Sequence, residues 1–357
     1  MRPTARRRPA RLLLAALLGL ATLEAALRVV AATGSSRLAS ALREWDPDAT
    51  LELRGEHCFR AWPGSVLRFP NGTVSHVNAM GFRGPVVAIP KPPGTYRVVL
   101  LGGSTSHGFL VDDDEAIDAH LRRLLHVPDA SRIEVVNLGG DTLDALCEQE
   151  RLASEGLVLE PDAVIVHTGI NDVPALRVPD LPPNDLRRGF RPARGASEDD
   201  RRRATGLWRI VKHWCFVARL PGVLRNLTVR SGPLPGPPEP DPRALEDFAR
   251  TVRDTIALVP PATPVLLSMP PSLLGAPGVP VACPVIVDAE TSRRYRDGLD
   301  QSLRRIAAEE RALGRDVRYV PHDLPDTVFL DDCHVDGEGN RLLAADFARA
   351  LAEVPRR

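Results

Sequence analysis

Five short apolar runs, separated by stretches with helical spacing, set the strongest limit on what this chain can fold into. "RVVLL" (97–101), "RIEVVN" (132–137), "DAVIVHT" (162–168), "PVLLS" (264–268) and "VRYV" (317–320) are rich in Val, Ile and Leu. Continuous apolar runs of this kind suit strands covered on both faces. Between them, residues 115–126 read as a helix whose start is favoured by Asp112, Asp113 and Asp114. Residues 242–258 put Leu245, Phe248, Val252 and Ile256 on one face, with Asp241 placed to cap and Pro242 in the first turn. Residues 290–313 carry Tyr295, Leu299, Leu303, Ile306 and Leu313 as a stripe that stops at Gly314. A last helix over 337–353 uses Leu343, Phe347, Ala350 and Leu351. Strand and helix in alternation predict an α/β architecture, a parallel sheet with helices on both faces. Such sheets bind ligands beyond the carboxyl ends of their strands.

The N-terminus reads differently. "MRPTARRRPAR" is basic, and Leu12 to Leu23 is apolar. Extended to Ala32, the stretch reaches the roughly 20 residues a bilayer span needs, with Glu24 and Arg28 near its far end. It reads as an uncleaved signal anchor over residues 1–35; a signal peptide cleaved near Val30-Ala31-Ala32 is the alternative. The basic flank stays in the cytoplasm. The rest is then extracytoplasmic, either anchored to the membrane or secreted. Residues 36–96 are irregular, with a hairpin turn expected at Asn71-Gly72, and read as a lead-in packed on a main domain of 97–357. Within that domain, 173–240 is rich in Pro and Arg and breaks the alternation. It holds one helix-like piece, "GLWRIVKHWCFVARL", and reads either as a lid or partner surface or as a solvent loop.

Lys+Arg and Asp+Glu are both 46, for a net charge of zero, which argues against a nucleic-acid partner. The five cysteines, 58, 147, 215, 283 and 333, form no CxxC pair, so no zinc site is expected. Export permits disulfides, and an odd count leaves at least one thiol over. Their pairing stays open.

Four segments carry the chemistry. "GGSTSHG" presents Ser104, "VVNLGGDT" presents Gly139 and Gly140, "VHTGIND" presents Asn171 and Asp172, and "FLDDCHVDGEGN" presents Asp331 and His334. Each lies just past a strand or just before a helix, so all four can converge on one rim of the sheet. A serine hydroxyl needs a base, which His334 can be. Asp331 can fix the imidazole tautomer, with Asp332 as its rival. Backbone N–H groups of Ser104 and Gly139, with the Asn171 amide, can stabilise an oxyanion. His107, His167 and His322 are rival bases, and His167 reads as packed within a strand. A Gly-x-Ser-x-Gly elbow is absent, as are a Walker loop, a dinucleotide fingerprint and a His-Glu-x-x-His pair. Asp112 to Asp114 read as a helix start rather than a metal cluster. No metal or organic cofactor is expected.

These blocks, in order over 97–354, resemble the SGNH hydrolase superfamily, also called GDSL-like esterases. The family's serine block is usually Gly-Asp-Ser, where this chain has Gly102-Gly103-Ser104. The lead-in "HVNAMGFRGP" is similar to a segment found before the serine block in membrane-anchored bacterial members. The resemblance implies a flavodoxin-like three-layer sandwich with a five-stranded parallel sheet. It implies a serine esterase acting on acyl or acetyl esters of small molecules, lipids or glycans through an acyl-enzyme. Two other readings stand beside it: an envelope polysaccharide O-acyltransferase using the same site, and a catalytically silent envelope scaffold, supported by the altered serine block.

Overall fold

A computed structural model describes residues 7–33, 51–54, 58–61, 63–69, 71–127, 130–141, 143–173, 239–273, 276 and 289–353. The chain divides into two compact units, one of residues 1–48 and 187–231, the other of 49–186 and 232–357. In the first, α1 (Arg7–Thr33) is the described element. The expected helix is present, but the membrane span is not shown: among the described residues no helix is long and apolar enough to cross a membrane. Glu24 and Arg28, ion-paired at 2.8 Å, interrupt the apolar length of α1.

The second unit opens with two antiparallel hairpins, β1 (Leu51–Arg54) with β2 (Cys58–Ala61) and β3 (Val66–Arg68) with β4 (Val74–His76). The second hairpin turns at Gly72, whose φ of 91° suits glycine, next to Asn71 as expected. The sheet follows: β5 (Thr95–Gly102), β6 (Arg132–Asn137), β7 (Ala163–His167), β8 (Val265–Ser268) and β9 (Val317–Tyr319). Its order is β6-β5-β7-β8-β9 and every pairing is parallel. With the first strand inside the second, this is the doubly wound flavodoxin-like order.

Both faces of the sheet are covered, which is why its strands read as unbroken apolar runs. Val99, Leu101, Val164, Val166, Val265 and Leu267 face one core, shared with Ala145 of α4 (Ala145–Arg151), Phe248 of α5 (Pro242–Leu258) and Tyr295 of α6 (Ala289–Ala312). Val98, Leu100, Val135, Ile165 and Leu266 face the other, shared with Leu121 of α3 (Ile117–Leu124) and Phe347 of α7 (Gly337–Ala352). Each such Val, Leu, Ile or Phe side chain contributes roughly 1.5–3 kcal/mol by burial. The short α2 (Ser104–His107) sits at the carboxyl end of β5.

The cap read from sequence at Asp241 is in place, and Asp336 caps α7 in the same way. Asp241 Oδ1 accepts the Arg243 N–H at 2.8 Å, and Asp336 Oδ1 accepts the Gly339 N–H at 2.8 Å. The helix expected over 115–126 starts later, at Ile117, because a 3-10 turn at Asp113–Glu115 precedes it. Nearly all of 173–240, with the helix-like piece in it, lies outside the described residues, as do Cys215 and Cys283. Cys58 and Cys147 form a disulfide, joining β2 to α4 with Cα atoms 5.4 Å apart.

Candidate active site

The turn after β5 is dictated by its glycines. Gly102 has φ 153°, and a Cβ there would fall 1.9 Å from Ser106 Oγ and 2.5 Å from the His167 carbonyl. The chain can therefore turn sharply and present Ser104 as the first residue of α2, 7% exposed. His334 comes from the loop before α7. That loop is closed by an antiparallel bridge between Phe329 and Val335 and by the Leu330 N–H on the His334 carbonyl at 2.8 Å. Asp331 Oδ1 accepts the N–H groups of Cys333 (2.9 Å) and His334 (2.7 Å), which fixes the carboxyl beside its own imidazole.

The side chains meet across 230 residues of sequence. His334 Nε2 lies 2.9 Å from Ser104 Oγ, and His334 Nδ1 lies 2.7 Å from Asp331 Oδ2. Burial acts to raise the Asp331 carboxyl, but the hydrogen bond and charge of His334, with the two backbone N–H groups, hold it below its ordinary value. It therefore stays ionised and fixes Nδ1 as the protonated nitrogen, leaving Nε2 to accept from the serine. Asp332 does not take this place; its carbonyl accepts from Ser272 Oγ (2.6 Å) and from the Leu273 N–H (2.9 Å).

Of the three donors that the sequence reading offers to an oxyanion, one has its proton committed elsewhere. The Ser104 N–H, at the start of α2, makes no hydrogen bond among the described residues. Asn171 Nδ2 gives one proton to the Leu143 carbonyl at 2.8 Å and stands over Gly103, where a Cβ would be 2.3 Å from it. Its second proton is left for the site. Gly139 is different: its N–H donates to Asn137 Oδ1 at 2.8 Å, so the donor expected there is committed within its own loop. The neighbouring Gly140 N–H donates to the Gly102 carbonyl at 3.1 Å. Asp172, from the same block as Asn171, accepts the Ala145 N–H at 3.2 Å and so anchors the start of α4.

The rival histidines are buried elsewhere. His107 lies between Ser75 Oγ and the Gly139 carbonyl, each 3.3 Å away, and burial with the nearby Arg83 charge lowers it to about 3. His167 is held by Ser268 Oγ at 2.7 Å and is pushed well below its ordinary value by burial and by His322. His322 pairs with Asp346 at 3.0 Å. Asp331, Cys333 and His334 bring three potential metal-ligand atoms within 4.8 Å, but the carboxylate and imidazole there are already bonded to each other.

Several functional neighbours escape sequence reasoning. The Phe109 ring packs on His334 at 4.8 Å between centroids, and Phe69 packs edge-on against Phe109 at 4.7 Å. Asn137 Nδ2 donates to the Ser106 carbonyl and to Asp118 Oδ1, both at 2.8 Å, tying α2 to α3. Asn137 closes the quoted run "RIEVVN", and nothing in the sequence marks Phe69 or Phe109. A cleft of about 390 Å³ is lined by Asn71, Thr73, Leu110, Glu115, Leu330 and Glu338 among others; Ser104, Asp331 and His334 are not part of its lining.

The sequence model of the GDSL-like Lipase/Acylhydrolase family matches residues 100–342. No curated protein matches the chain. Among solved structures, a lipase/acylhydrolase from Enterococcus faecalis is similar at 15% identity, covering 73% of this chain and 99% of its own, with a TM-score of 0.42. A catalytic mutant of an acetylxylan esterase from Geobacillus stearothermophilus is similar at 16% identity, covering 73% and 97%, with a TM-score of 0.41.

Proposed function

The chain belongs to the GDSL-like lipase/acylhydrolase family and is an ester hydrolase, and on that premise we propose that Ser104, His334 and Asp331 cleave carboxylic esters through an acyl-enzyme. The observation that carries this reading is the continuous contact from Ser104 Oγ to His334 Nε2 and from His334 Nδ1 to Asp331 Oδ2. As Ser104 Oγ attacks the ester carbonyl, His334 Nε2 takes its proton. Asp331 stabilises the imidazolium that results. The Ser104 N–H and the Asn171 amide receive the developing negative charge; a donor of this kind is worth roughly 2.7–4 kcal/mol of barrier. His334 then returns the proton to the leaving alcohol. In the second half the same imidazole activates water, and the acyl group leaves as a carboxylic acid.

The test is intact-mass spectrometry of the full chain after treatment with a fluorophosphonate probe. One adduct on the native protein and none on Ser104→Ala is the expected result. Equal labelling of both would remove Ser104 from its role. We also propose that the catalytic unit works outside the cytoplasm. The Cys58–Cys147 disulfide supports this, because such bonds persist in oxidising compartments. In protein recovered from its source cells, Cys58 and Cys147 should resist alkylation until reduced; ready alkylation without reductant would count against export.

A further inference from the structure

The nucleophile stands on a four-residue helix, α2, which cannot satisfy its own last carbonyls. A residue from far outside the four sequence blocks does so. Arg83, 2% exposed, reaches the His107 carbonyl with Nη1 and the Val111 carbonyl with Nη2, each at 2.8 Å. Nη1 also bonds the Gly108 carbonyl, and Nε meets Asp113 Oδ1 at 3.2 Å. One guanidinium thus grips the whole turn that follows Ser104. The grip requires glycine at 108, where φ is 79° and a Cβ would lie 2.7 Å from Arg83 Nη1.

That turn connects directly to the reacting atoms. The N–H groups of Gly108 and Phe109 both donate to the Ser104 carbonyl at 3.1 Å. The Phe109 ring in turn lies against His334. The rest of the lead-in reinforces the hold. Asn71 Nδ2 bonds the carbonyl of Leu110, a non-glycine residue at φ 68°. The Val74 N–H donates to Asp112 Oδ1 at 2.8 Å, and the His76 N–H to Asp113 Oδ1 at 3.0 Å. The acids that look from sequence like a helix start are also the anchor points of this strap.

We propose that Arg83 is a positioning residue for the Ser104–His334 pair, acting through the turn 107–111, and that the lead-in is by this route part of the catalytic machinery. A lysine cannot replace it, since a single ammonium does not present a planar fork to carbonyls spread over several residues. The inference rests on Ser104 being the nucleophile.

The experiment compares native protein, Arg83→Ala and Arg83→Lys for the rate of fluorophosphonate labelling, for kcat and KM on a small activated acetate ester, and for circular dichroism. The folded variants are expected to label about 10–100-fold more slowly, with kcat falling and KM nearly unchanged, because small displacements of reacting groups cost that much. A low, non-denaturing concentration of methylguanidinium should restore much of the rate to Arg83→Ala and none to native protein. A folded variant that labels within twofold of the native rate overturns the proposal. So does a loss that methylguanidinium leaves untouched in a folded Arg83→Ala. Should Arg83→Ala not fold, the Arg83→Lys rate decides, since that variant keeps the charge. Native protein that takes no adduct at Ser104 would instead sink the catalytic reading itself.

Discussion

Position 103 is where this chain departs from its family's usual serine block, and its surroundings account for the departure. A Cβ there would be 2.3 Å from Asn171 Nδ2 and 3.1 Å from the Leu143 carbonyl. Glycine lets the Asn171 amide close over the nucleophile's turn. Restoring the commoner residue by Gly103→Asp should displace Asn171 and lower kcat/KM at least about tenfold, with KM little changed, because an oxyanion donor acts mainly in the transition state. Steady-state kinetics on an activated ester would check it. Asp331→Asn should leave the fold intact but cut kcat by about 10⁴-fold, since the amide favours the wrong imidazole tautomer. A third prediction concerns stability. His107 is lowered from 6.5 to about 3, chiefly by burial, and His167 lies well below 6.5 for the same reason. Both are neutral when folded, so below 6.5 the unfolded chain binds protons that the folded chain refuses. The contribution is intact above 6.5 and drains away as pH falls towards 3. Urea midpoints should drop across that window, and His107→Gln should flatten the slope; an unchanged slope would mean His107 is not the group responsible.

Among the elements, α4 ties several parts of the site together. Its start is held by Asp172, the Leu143 carbonyl just before it holds Asn171, and its Cys147 is bonded to Cys58. Arg151, at its end, donates to the Gly139 carbonyl at 3.1 Å and to the Gly81 carbonyl at 3.2 Å. One helix therefore links the glycine loop, the Asn171 amide and the lead-in. The disulfide spans 89 residues, so in the chain-entropy account its loss should cost about 4.6 kcal/mol. Reduction, or Cys58→Ser with Cys147→Ser, should lower the urea midpoint by a corresponding amount. Activity should fall too, through Asn171, and a double variant with native kcat would show that α4 keeps its place without the bond.

At the scale of the molecule, the sheet is legible in the sequence because strands buried on both faces leave unbroken Val/Ile/Leu runs. The contact among Ser104, Asp331 and His334, which we propose as the catalytic triad, is legible because these residues sit at strand ends and helix starts, where the chain's direction leaves few choices. What escapes is of another kind. The Gly139 N–H goes to Asn137, and Arg83 and Arg151 bind backbone carbonyls in distant loops. Bonds from a side chain to a remote carbonyl impose no periodicity and need no particular residue type on the accepting side. Asp112 and Asp113 show the same thing in miniature: they sit at the 3-10 turn before α3 rather than at its start, and their acidity says nothing of the strap that binds to them. The separation of 230 residues between Ser104 and His334, the proposed nucleophile and base, also fixes an order of events. During synthesis, or passage through a membrane pore from the N-terminus, the strap, Arg83 and Ser104 all emerge early and can settle together. The base arrives only when the last strand and the loop before α7 have been delivered. Until then the growing chain carries a serine with nothing to take its proton, and the proposed hydrolase stays unarmed until its last segment is in place.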